Sequence, residues 1–215
     1  MDRNLTFFPK LQLYVHEILA GSSRLGERRR ELLHPLVEYV RGRHQAGNDV
    51  RLNMICTHNS RRSHLAQVWA QTAAAYYKVG NVHCYSGGTQ ATALFPTVAE
   101  TLAGSGFLFT RIGDGQNPVY AFRYDANDPP IIGFSKKYDH PFNPQDGFAA
   151  VMTCSQADGD CPFIAGADAR FSLPYEDPKI SDGTPVQEKV YAQRTLQIAA
   201  EMFYVFSQID NNVRN

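Results

Sequence analysis

The spacing of apolar positions changes character several times along the chain. Leu11, Val15, Ile18 and Leu19 recur at helical spacing, and Gly21-Ser22-Ser23 marks a turn after them. A second helical pattern runs through Leu25, Leu32, Leu33, Leu36, Val37 and Val40 and ends near Gly47-Asn48; Pro35 must either kink it or open a new helix. Val50–Ile55 then alternates apolar and polar residues as a short strand does, and residues 62–79, rich in Ala, Leu and Gln, predict a long helix. Val82–Ser86 reads as a strand closed by Gly87-Gly88, and residues 96–104 as a helix opened by Pro96. Phe148–Thr153 is a continuous run of small apolar residues, the pattern of a buried parallel strand. Residues 186–209 close the chain as an amphipathic helix. Strands alternating with helices predict an α/β fold, a parallel sheet with flanking helices. Turn signals at Gly113-Asp114-Gly115, Asp128-Pro129-Pro130, Pro141 and Pro144 surround two strand-like pieces, 119–124 and 131–135, and predict a hairpin-bearing insertion at about 107–147. Residues 1–49 stand apart as a helical extension of a domain running over 50–215.

Composition narrows the function classes. Hydrophobic residues are 43% of 215 and charged ones 20%, an ordinary globular balance that excludes wholesale disorder. Lys+Arg and Asp+Glu are both 21, so no basic surface for nucleic acid is indicated, and Arg28-Arg29-Arg30 reads as a solvated helix face. No run of about 18 apolar residues exists to span a membrane. Lys10, His16 and Glu17 interrupt the N-terminal apolar run, so it does not read as an export leader. Four cysteines are too few for a disulfide framework in a chain this long; they read as reduced thiols of a cytoplasmic protein, each available for chemistry or for packing.

The informative segment is Cys56-Thr57-His58-Asn59-Ser60-Arg61-Arg62-Ser63, where a strand hands over to a helix at the carboxyl edge of the sheet. A loop entering a helix presents clustered backbone N–H groups backed by the helix dipole, a cup suited to a tetrahedral oxyanion. Donors of that kind and a nearby guanidinium favour thiolate over thiol in a cysteine at the base of such a cup. Arg62 offers a bidentate fork for two oxygens, and Ser63 a hydroxyl for the sulfur.

C-x5-R-S is the signature of cysteine-dependent phosphatases. Ile55 through Ser63 resembles the anion loop of the low-molecular-weight tyrosine phosphatase superfamily, especially its thioredoxin-coupled arsenate reductase branch. Tyr85-Ser86-Gly87-Gly88-Thr89 is similar to that family's turn after the second strand, and Leu94-Phe95-Pro96 to the start of its next helix. Val151-Met152-Thr153-Cys154 with Cys161-Pro162 resembles its redox segment, and Glu176-Asp177-Pro178 its acid loop. The likeness covers about 50–106 and 148–209; His58 stands where the family usually has glycine, while Asn59 tolerates a left-handed conformation.

The resemblance implies that Thr57, His58, Asn59, Ser60, Arg61 and Arg62 bind the oxyanion, that Cys56 is the nucleophile, and that Asp177 is the general acid. It also implies a relay in which Cys154 attacks Cys56, Cys161 captures Cys154, and thioredoxin reduces the resulting disulfide. If residues 154–161 were helical, the two α-carbons would lie about 10 Å apart, beyond disulfide reach, so bridging requires the segment to loop out. Packing remains the alternative for both cysteines; a lone C-x6-C lacks zinc-site spacing, and no bound cofactor or metal is expected. Cys84 reads as core, His64 as a helix-surface residue and His140 as a loop residue.

Phosphate and arsenate are near-isosteric, so the cup cannot choose between them, whereas the second and third cysteines are needed only by a reductase. Arsenate reductase is the first reading. A low-molecular-weight phosphatase acting on phosphotyrosine or small aryl phosphates is the alternative, although Lys179 and Ile180 stand where that family usually places substrate-stacking aromatics.

Overall fold

A computed structural model describes residues 6–22, 25–160 and 163–209. Helices α1 (Pro9–Ser22) and α2 (Glu27–Gln45) lead into β1 (Val50–Cys56), α3 (Arg62–Tyr76), β2 (Val82–Gly88) and α4 (Pro96–Gly104). Strands β3 (Leu108–Gly113), β4 (Val119–Arg123) and β5 (Ile131–Gly133) follow. The chain continues through β6 (Phe148–Met152), α5 (Ser155–Asp160), β7 (Ala167–Ser172), a 3-10 turn (Pro178–Ser181) and α6 (Gln187–Ser207). Four strands form a parallel sheet in the order β2-β1-β6-β7, and β3-β4-β5 form a separate antiparallel sheet.

The insertion bears the expected antiparallel pair, β4 with β5, and adds a third strand, β3, beside β4. Its first strand, Leu108–Gly113, lacks alternating burial because nearly the whole strand is exposed at the sheet edge. Strand β7 carries no pattern in the sequence: Ala-Asp-Ala-Arg-Phe-Ser is a half-buried edge with no apolar run. Helix α2 runs through Pro35 without restarting; Glu31 and Pro35 both lie on its exposed face, where water can satisfy the carbonyl that proline leaves unbonded. Helix α3 stops at Tyr76, and Lys78 takes φ 56 in the turn beyond it.

The N-terminal helices share the core of the α/β domain. Leu11, Val15 and Ile18 of α1 and Leu33, Leu36, Val37 and Val40 of α2 are buried in one apolar cluster with Trp69 of α3 and Phe203 of α6. Tyr14 stacks on Trp69 at 5.6 Å, Phe107 meets the indole edge-on at 4.9 Å, and the indole N–H donates to Thr195 Oγ1 at 2.8 Å. Among the described residues no helix is long and apolar enough to cross a membrane.

Along the free edge of β2 side-chain amides replace a neighbouring strand. Gln71 receives the N–H of Cys84 and donates to the carbonyl of Val82, while Gln67 donates to the carbonyl of Cys84 and Asn143 to that of Ser86. Lys136 and Tyr138 then pair with Gly88, which docks the insertion beside the strand end that adjoins Cys56.

Candidate active site

Cys56 is the last residue of β1, and Arg62 the first of α3. The intervening loop is defined by where its carbonyls go. Cys56 O accepts from Thr89 N, Thr57 O from Gln90 N, and Ser60 O from Phe95 N. His58 O accepts from Ser135 Oγ at 2.9 Å and Thr92 Oγ1 at 3.2 Å; Asn59 O accepts from His64 Nε2 at 2.9 Å. In a planar trans peptide the N–H of the next residue points opposite to the carbonyl, and none of these bonds is cis. With the carbonyls of residues 56–60 held by surrounding structure, the N–H groups of Thr57 through Arg61 are turned the other way, into the cup. Cys56, His58, Ser60, Arg61, Arg62 and Asp177 line the small space they enclose.

Asn59 makes the turn at φ 44, the left-handed region its side chain tolerates, whereas His58 needs no positive φ. The Asn59 side chain also clamps the loop: its Oδ1 accepts from Lys136 N at 2.9 Å, and its Nδ2 donates to Ser63 Oγ at 2.9 Å. A hydroxyl that accepts from an amide nitrogen keeps its own proton to donate. Ser63 Oγ lies 3.1 Å from Cys56 Sγ, so that proton is available to the sulfur when it is ionised. Gly88 is required beside this loop, because a Cβ there would come within 2.3 Å of Gln90 O and 2.7 Å of Asn59 N.

Arg62 divides its guanidinium between the acid loop and the cup. Nη1 donates to Tyr175 O at 3.0 Å and Nη2 to Asp177 Oδ2 at 2.6 Å, while the buried Nε has no partner among the described residues. Asp177 caps the 3-10 turn through Oδ1, which accepts from Lys179 N at 3.1 Å. The carboxylate and any anion in the cup therefore address the same guanidinium. The Arg61 side chain turns elsewhere. It donates to Tyr191 OH at 2.6 Å, pairs with Asp182 and lies over the Phe95 ring at 4.2 Å, leaving its backbone N–H as its contribution to the cup.

Cys154 follows β6 and is buried in a small apolar cluster that also contains Cys56. Its sulfur lies 3.4 Å from the hydroxyl of Thr57, the residue after Cys56, and accepts from Ala157 N at 3.4 Å. Residues 155–160 are helical, and Cys161 and Pro162 lie outside the described residues. Cys56, Cys84 and Cys154 are free thiols; Cys84 is buried in β2, and burial pushes its pKa far up. Among the described residues no cluster of His, Cys, Asp and Glu could hold a metal ion.

His64 corrects the sequence reading. It is 1% exposed, not on the helix surface, because α3 is buried on nearly every side and its periodicity hides which face is which. The carbonyl of Asn59 can only accept, so Nε2 carries the proton and Nδ1 accepts from Ser86 Oγ at 3.1 Å. Burial, reinforced by the charge of Lys136, lowers its pKa to about 3, so the ring stays neutral and structural. Sequence reasoning also missed Ser135, Lys136 and Tyr175 as supports of the site; only Gly87-Gly88 signalled a close approach there.

No family model matches the chain, and no curated protein does. Solved structures do. A YwlE mutant from Bacillus subtilis is 15% identical, with 74% of this chain and 98% of that one covered at a TM-score of 0.51. The chain has the low-molecular-weight tyrosine phosphatase fold. Low-molecular-weight protein tyrosine phosphatases from T. tengcongensis (13% identical, 75% of this chain and 100% of that one) and Bacillus subtilis (15%, 77% and 100%) share the low-molecular-weight phosphatase fold at the same TM-score of 0.51.

Proposed function

We propose that this enzyme is an arsenate reductase that uses Cys56 as nucleophile and passes the oxidation through Cys154 and Cys161 to thioredoxin. The observation that carries the reading is Cys154, whose buried thiol lies against Thr57 at the base of the cup. Arsenate enters the ring of N–H groups and engages Arg62. The Cys56 sulfur attacks arsenic, forming an S–As bond as one oxygen leaves with a proton from Asp177. Cys154 then attacks the Cys56 sulfur; the S–As electron pair passes to arsenic, which departs as arsenite, and a Cys56–Cys154 disulfide remains. Attack by Cys161 frees Cys56 and moves the disulfide to Cys154–Cys161, where the dithiol of thioredoxin reduces it. A cycle of this kind requires a reducing compartment, the cytoplasm.

The test is mass spectrometry of the enzyme after one turnover with arsenate and no reductant. The expected product is a chain two hydrogens lighter, with the disulfide mapped to Cys154 and Cys161; an unchanged mass overturns the relay. The second reading, hydrolysis of aryl phosphates or phosphotyrosine, is favoured by Asp177 on the cup's rim and by neighbours named as phosphatases. It predicts turnover of p-nitrophenyl phosphate with no change in thiol content.

A further inference from the structure

We propose that Arg29, in the N-terminal extension, is a positioning residue for the acid loop: its ion pair with Glu201 holds Tyr175, and Tyr175 holds the backbone that carries Asp177. This rests on reading Asp177 as the general acid. Glu201 of α6 is 0% exposed. Arg29 meets it as a fork, Nε to Oε1 at 2.7 Å and Nη2 to Oε2 at 2.9 Å. The Tyr175 hydroxyl donates to Oε2 at 2.8 Å, Gln197 Nε2 donates to Oε1 at 3.2 Å, and the guanidinium lies 4.9 Å from the Tyr175 ring centroid.

The backbone of Tyr175 is tied as firmly. Its N–H donates to Thr153 O at 3.1 Å, and its carbonyl accepts from Arg62 Nη1. One residue thus links a buried carboxylate, the end of β6 and the arginine of the cup, two positions before Asp177. A carboxylate this deep is tolerated only when paired. Without Arg29 the group that anchors Tyr175 has lost its counter-charge, and the loop loses its fixed point. A general acid must lie within hydrogen-bond reach of the leaving oxygen, so loosening the loop costs the proton transfer while the nucleophile is untouched.

Hydrogen exchange tests this without turnover. In Arg29→Met the Tyr175 amide, bonded to Thr153 O, should exchange at least about tenfold faster, with the amides of β1 and β6 unchanged. Arg29→Lys, which keeps the charge and loses the fork, should fall between. Arg30→Met, on the same helix, should match wild type. In the hydrolase assay Arg29→Met should lower kcat for phenyl phosphate about tenfold more than for p-nitrophenyl phosphate, whose leaving group needs less protonation. KM and the rate of Cys56 alkylation by iodoacetate should hold. Local exchange that stays at the wild-type level, or that rises equally throughout the sheet, overturns the proposal. If Arg29→Met does not fold, Tyr175→Phe decides by the same criterion. Absence of aryl-phosphatase activity in the wild type would remove the hydrolase reading and leave the exchange result to judge Arg29.

Discussion

Cys56 is surrounded by groups that each have one remaining use. The Ser63 hydroxyl lies beside the sulfur, the loop N–H groups face the cup, and Arg62 Nε has no protein partner among the described residues. Cys56→Ser should therefore abolish both arsenate reduction and aryl-phosphate hydrolysis, because a serine hydroxyl is not ionised near neutrality; more than a trace of either activity would exclude Cys56. Arg62→Lys should be nearly as damaging, since a point charge cannot bracket two oxygens and also hold Tyr175 and Asp177. His64 carries a pH signature instead. Its pKa falls from 6.5 in the unfolded chain to about 3 in the fold, so between those values the unfolded state binds the extra proton. Stability attributable to His64 is complete above pH 6.5 and is lost as pH falls toward 3. Denaturant midpoints should decline over that window, and His64→Gln should flatten the decline; an equal slope in the variant would exclude His64 as its source.

At the level of elements, α5 separates the two chemistries. Its Asp158 accepts from Ser172 Oγ at 2.7 Å and pairs with Arg170, pinning the helix to β7. If residues 154–161 were all helical the two α-carbons would lie about 10 Å apart, beyond disulfide reach, so forming the Cys154–Cys161 disulfide should unwind the helix between them. Oxidation should therefore raise amide exchange over 155–160 and leave β6 protected. Cys154→Ser and Cys161→Ser should keep aryl-phosphate hydrolysis and lose multiple-turnover arsenate reduction. Normal reduction by both variants would end the redox reading. The sequence made α5 legible as a short polar segment between two cysteines, and β1 and β6 legible because central parallel strands are apolar runs or alternate clearly; β2, though a sheet edge, is legible because it is mostly buried and closed by Gly87-Gly88. Leu108–Gly113 and Ala167–Ser172 were not legible, since these two edge strands bury too little to impose a pattern. The cup's own residues could be named from Cys56 through Ser63, but its outer supports could not. Ser135 and Lys136 reach His58 and Asn59 from 77 positions away, and no local periodicity encodes that contact.

For the whole molecule the question is whether residues 1–49 are an appendage. Among the described residues their eight buried apolar side chains, Phe7, Leu11, Val15, Ile18, Leu33, Leu36, Val37 and Val40, lie in the same cluster as Trp69, Phe107 and Phe203. Burial of each contributes about 1.5–3 kcal/mol, so together they rival the about 5–15 kcal/mol net stability of a typical domain. Removing them would also strip the Tyr14 face from Trp69 and the counter-charge from Glu201. The full chain should therefore melt in one calorimetric transition whose van't Hoff and calorimetric enthalpies agree. A fragment of residues 50–215 should aggregate or lack a cooperative transition, and supplying residues 1–49 in trans should restore part of the structure. A fragment that melted cooperatively near the full-length temperature would show the extension to be dispensable for the fold, and would leave the Arg29–Glu201 pair as the test of its connection to the site.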